Sequence, residues 1–169
     1  MKGNNNQLEK NTQPKGEITM KNKMSKVLKN EKGLTLIELL AVIVILAIVS
    51  AIAIPAIGNI VENSRYNAVK ADAVNVLNAS NLYFTDNASE TTVLVSKMIS
   101  DKYLETSGKI PGATGADTTI TKANPNKIST TGIKFSGNKT VTFNGATITG
   151  INNDSTKGSA IATNQEINQ

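Results

Sequence analysis

An α+β fold is predicted for this chain of 169 residues: a long N-terminal α-helix, apolar and then amphipathic, packed on a small C-terminal antiparallel β-sheet head. Three observations predict it. Residues 39–61 carry no charge, and as a helix they extend about 35 Å, more than the roughly 30 Å hydrocarbon core of a bilayer. Beyond them, Tyr66, Val69, Ala73, Val76, Leu77 and Phe84 recur at three- and four-residue steps with Glu62, Arg65, Lys70 and Asp72 around them, which is an amphipathic helix. After Gly108 the composition turns to Thr, Asn, Gly and isolated β-branched residues, the composition of strands and turns.

The first 33 residues form a basic leader. They hold eight of the 18 basic residues and three of the 13 acids, so the whole formal charge of +5 resides there and the remainder is neutral. Lysines flanking an apolar span keep that flank in the cytoplasm and place the chain on the far side of the span outside. The sequence pI of about 9.4 therefore describes the leader and gives no reason to expect nucleic-acid binding by the outer domain.

The junction between leader and span is unusual: Lys32 and Gly33, then a lone acid, Glu38, at the head of the apolar run. A carboxylate at mid-bilayer costs about 2.5–3.5 kcal/mol on insertion scales, and less near the edge, so the charge calls for a use. A plain one-span anchor explains the apolar run and leaves Gly33 and Glu38 without a role. A secretory signal peptide, with Ala51-Ile52-Ala53 as its cleavage site, is opposed by Glu38 and by Pro55 just behind that site. A lipoprotein signal requires a cysteine, and the chain has none.

Lys32-Gly33-Leu34-Thr35-Leu36-Ile37-Glu38, followed by Leu39-Leu40-Ala41-Val42-Ile43-Val44, closely resembles the N-terminal signature of type IV pilins and pseudopilins. The resemblance implies the type IV pilin fold and cleavage by a prepilin peptidase between Gly33 and Leu34. It implies N-methylation of Leu34 as the first residue of a 136-residue mature chain. Glu38 becomes the fifth residue, the family's assembly glutamate, and Pro55 the twenty-second, its helix-bending proline. The expected organisation is a leader at 1–33, a transmembrane or filament-core half-helix at 34–61, an amphipathic half-helix at 62–85 and a head at 86–169. Leu34 stands where most relatives have phenylalanine, and the leader is longer than in the commonest subfamily; a start at Met20 or Met24 instead of Met1 shortens it. Pro55 removes a helix donor and favours a kink, while Ala47 and Ser50 stand where relatives use glycine to melt the helix.

Physical logic supports the role implied for Glu38. In a bundle of apolar helices, a freed α-amine and a carboxylate each need a partner. Pairing Glu38 of one subunit with the Leu34 amine of a neighbour neutralises both and sets axial register. The alternative is a solvated Glu38 in the headgroup zone.

Within the outer domain, Tyr66, Tyr83 and Phe84 are expected to pack between helix and head. Residues 89–104 read as a short second helix, capped by Ser89 or Asp86, with Leu94, Met98 and Tyr103 on one side. Ile133-Lys134-Phe135-Ser136, a turn at Gly137-Asn138, and Thr140-Val141-Thr142-Phe143 read as a hairpin. Residues 147–151 read as a further strand and 160–162 as an edge strand; the tail from Asn152 reads as polar and frayed. About 85 residues make a small core, so the head must borrow the helix face.

Reactive chemistry is scarce. With no histidine, cysteine or tryptophan, thiolate and imidazole metal sites and the usual triads are excluded. Asp101, Glu105, Asp117, Asp154 and Glu166 are scattered, and a calcium site needs converging oxygens. No enzymatic activity, cofactor or metal is expected. Lys122, Lys127, Lys134 and Lys139 are spaced singly, the pattern of a solvated face. The resemblance supports two readings. One is a structural pilus subunit for adhesion, motility or aggregation. The other is a pseudopilin of a competence or type II secretion-like system. Expected partners are further copies of the chain, minor pilins, the prepilin peptidase, and an assembly platform protein and ATPase. The expected location is the membrane before assembly and the cell surface after it.

Overall fold

The computed structural model describes residues 35–112 and 118–169. The chain divides into two compact units, Met1–Ile48 and Val49–Gln169. Helix α1, Leu36–Asp86, begins in the first and ends in the second. The expected leader, with Gly33 and Leu34, lies outside the described residues, as does Asp117.

In the first unit every described residue is exposed, including Leu36, Ile37, Leu39, Leu40 and the aliphatic run to Ile48. A helix that is apolar on every face, with none of it buried by its own chain, needs a lipid or protein environment supplied from elsewhere. The 51-residue α1 continues through Pro55 without interruption.

In the second unit, α1 turns amphipathic and supplies Tyr66, Val69, Ala73, Val76, Leu77, Ser80, Tyr83 and Phe84 to the core. These include every residue of the stripe expected from the sequence. Tyr66 stacks at a tilt on Phe135 with ring centroids 5.2 Å apart, and Tyr83 packs edge-on against Phe84 and Tyr103 at 5.5 and 5.2 Å. The aromatics thus serve packing between helix and head.

Two three-stranded sheets replace the single sheet expected. The first orders β1 (Thr92–Leu94), β2 (Thr119–Thr121) and β3 (Lys127–Ser129) with antiparallel pairings that bury Val93, Ile120 and Ile128. The second orders β4 (Ile133–Ser136), β5 (Lys139–Phe143) and β6 (Asn164–Ile167). Here β4 and β5 form the expected hairpin, with Gly137 at φ +49° in its two-residue turn, and Ile133, Phe135, Val141 and Phe143 face inward. The β5–β6 pair is parallel, so this sheet is mixed. Reciprocal backbone bonds between Ile128 and Ala146, at 2.9 and 3.0 Å, link the two sheets.

Three local readings are corrected. The expected helix over 89–104 is a strand, β1, followed by a six-residue helix α2, Val95–Ser100; Leu94 sits at its N-cap, exposed, and no side chain caps it. Residues 147–151 do not form a strand. The Thr147 side chain accepts the Gly150 N–H at 3.1 Å and starts helix α3, Ile148–Asn153. The segment 160–162 is not a strand either: a 3₁₀ turn spans Gly158–Ala160, and the tail beyond it is docked as β6, burying Ile167.

Candidate functional site

The sequence Thr35-Leu36-Ile37-Glu38 builds the start of α1. Thr35 stands just before the helix, and Glu38 is the third helical residue. The Glu38 N–H donates to Thr35 Oγ1 at 3.2 Å, and the Thr35 N–H donates back to Glu38 Oε2 at 2.8 Å. The Thr35 hydroxyl donates to the same oxygen at 2.8 Å. This reciprocal arrangement is a capping box, which satisfies two of the backbone donors that a helix start leaves unpaired. Glu38 is exposed, so within one chain its carboxylate is held against the Thr35 backbone and hydroxyl while remaining open to solvent. The sequence reading gave Glu38 a role between subunits and missed its role within the chain. The Thr-x-x-Glu spacing before an apolar run was the signal that reveals it.

Behind Glu38 the site is a surface of aliphatic side chains. From Leu36 to Val61 the large apolar residues are all exposed, and the stretch is long and apolar enough to cross a membrane. Pro55 lies inside this stretch.

Where the apolar stretch ends, the polar face of α1 holds the C-terminal part of the second unit. Glu62 accepts from Lys139 Nζ at 2.8 Å and from the Ser136 hydroxyl at 3.1 Å, and these bonds hold its carboxyl below the ordinary range. Asn63 Oδ1 accepts the Ser159 N–H at 2.9 Å. The Tyr66 hydroxyl donates to Asp154 Oδ2 at 2.5 Å, and Lys70 Nζ reaches the same oxygen at 3.1 Å. Burial pushes Asp154 up, yet hydrogen bonds from Thr156, Tyr66 and Lys70 outweigh it and leave the carboxyl below its usual value. Burial, with the Asp154 carboxylate beside it, drives the Tyr66 hydroxyl well above its usual value.

The remaining acids serve separate local duties. Asp101 pairs with Lys97 at 2.8 Å, Glu166 accepts from Asn144 at 2.8 Å, and Asp154 belongs to the clasp just described. Glu105 is exposed. Among the described residues, no group of three acids converges on a common point.

Comparison with curated proteins and with solved structures gave no match. Residues 28–54 match the family model described as the prokaryotic N-terminal methylation motif. Together with the exposed apolar helix, this signal supports anchoring in a membrane before assembly. The N-terminal segment of the chain therefore carries a class III signal motif, one characteristic of type IV pilins and pseudopilins.

Proposed function

We propose that the chain is a structural subunit of a type IV pilus, polymerising through its N-terminal helix into a surface filament for adhesion, motility or aggregation. The observation that carries this reading is the apolar stretch of α1, exposed on every side and headed by a capped, accessible carboxylate. Packing such helices together removes apolar surface at about 25 cal/mol per Å², so each added subunit gains a large, non-directional attraction. Direction and register come from charge. Prepilin peptidase cuts between Gly33 and Leu34, the new amine of Leu34 is methylated, and Glu38 of one subunit meets that amine on the next. A misregistered subunit leaves a buried carboxylate unpaired, at a cost of several kcal/mol. Pro55 supplies the bend that fits the helix into the bundle.

The test is electron microscopy of cells making the wild type and Gly33→Ala. Wild-type cells show long surface filaments containing this chain, and Gly33→Ala cells lack them while retaining an uncleaved membrane protein. Loss of DNA transformation or of protein export, with no filament in the wild type, replaces the pilus reading with the pseudopilin one.

A further inference from the structure

Three cations far apart in sequence meet on one face of the second unit. Arg65 comes from α1, Lys109 from the loop after α2 and Lys134 from β4, and with Ala68, Val69 and Phe135 they line a cavity of about 290 Å³. All three cations are exposed, and none takes part in an ion pair among the described residues. Neighbouring acids are already engaged. Glu62, beside Arg65, is bonded to Lys139 and Ser136, and Asp72 accepts the Lys109 N–H at 2.8 Å. That last bond also fixes the loop. Gly108 has φ +59°, and a Cβ there would lie 2.3 Å from the Asp72 carboxylate, so only glycine lets Lys109 approach this closely.

We propose that this cavity binds a phosphorylated sugar unit. Gathering three cations beside two acids, Glu62 and Asp72, the first of which is already paired with Lys139, leaves a surplus of positive charge that a bound oxyanion relieves. One guanidinium with two ammonium groups suits a phosphate, whose charge and oxygens exceed those of a single carboxylate. The rest of the lining is apolar, with Ala68 exposed at the rim and Val69 and Phe135 forming a buried floor, and it gives the C–H face of a sugar an apolar seat. A cavity at the small end of ligand sites fits one such unit and not an extended chain. The site lies wholly on the second unit and holds whether or not the chain polymerises.

The experiment is calorimetric titration of the full chain in neutral detergent, at low salt, with ribose 5-phosphate, ribose and inorganic phosphate. Ribose 5-phosphate binds, inorganic phosphate binds more weakly and ribose does not bind. Arg65→Gln and Lys134→Gln each weaken ribose 5-phosphate roughly tenfold, as expected for losing one charged hydrogen-bond donor. Lys97→Gln, which alters an exposed pair elsewhere, leaves affinity unchanged. Unchanged circular dichroism shows that the variants fold. Equal affinity for ribose 5-phosphate and inorganic phosphate overturns the proposal, as does binding unaffected by Lys134→Gln. Self-association that Lys134→Gln abolishes, without ribose 5-phosphate binding, assigns the cavity to an acidic side chain of a second copy and overturns it too.

Discussion

Glu38 answers to two demands, and the structure separates them. Within the chain it closes a capping box with Thr35, through its N–H and its carboxylate. Between chains its exposed carboxylate is the group proposed to meet a neighbour's amine. Thr35→Val removes the hydroxyl while keeping the side chain's shape, and loss of a cap costs about 1 kcal/mol. Hydrogen exchange should show faster exchange of the Glu38 amide in that variant, with cleavage retained. Glu38→Ala removes both roles. Its expected outcome is a normally cleaved protein that fails to form filaments; normal filaments from Glu38→Ala would remove register setting from the account. Thr-x-x-Glu was readable from the sequence, since capping depends on spacing alone. Gly108 was not, because its constraint comes from Asp72 on a distant turn of α1. Gly108→Ala combines a positive φ with overlap on that carboxylate, so thermal unfolding of the full chain in detergent should show a loss of about 1–3 kcal/mol.

Among elements, the polar face of α1 and the C-terminal segment form one clasp, in which Tyr66 and Lys70 both bond to Asp154 and Asn63 holds Ser159. Asp154 has a folded pKa below its unfolded value, so its bonds stabilise fully above the unfolded carboxyl's pKa, about 4. That stabilisation is lost as pH falls from there through the folded value. Wild type should therefore exceed Asp154→Asn in unfolding stability at neutral pH, with the gap closing below about pH 4. A gap independent of pH would assign the effect to packing instead of charge. Tyr66→Phe keeps the ring on Phe135 and deletes one bond to Asp154, at a cost of about 1 kcal/mol. Element types were legible where local pattern and tertiary packing agree. The stripe from Tyr66 to Phe84 has helical period, and the β4–β5 hairpin has period two with a Gly-Asn turn. They were misread where the two conflict. Thr147-Ile148-Thr149 looks like a strand, but the Thr147 hydroxyl caps a helix. Asn164-Gln165-Glu166-Ile167 shows no apolar alternation and is a strand because β5 offers it an edge. Thr92 and Val93, next to a helical segment, pair with β2.

At the scale of the molecule, two kinds of surface divide the labour. The second unit closes its own core around α1, and the large apolar residues of the N-terminal stretch are left exposed. This stretch is the part the sequence announced most clearly, because a long uncharged run needs no tertiary information to be recognised. The cationic cavity is the converse case. Arg65, Lys109 and Lys134 look like isolated surface charges until the fold brings them together. The apolar stretch also predicts that the full chain, transferred from detergent to buffer, associates instead of remaining monomeric, which light scattering would detect; a stable monomer in buffer would mean the helix can shield itself.

The central claim is that the chain is processed at the Gly33 junction and resides in a surface filament. N-terminal peptide mass spectrometry of protein sheared from cells tests it most directly. The account predicts a terminal peptide that begins at methylated Leu34 and contains Glu38. A peptide that still contains Lys32, or one that begins beyond Ala53, would contradict it.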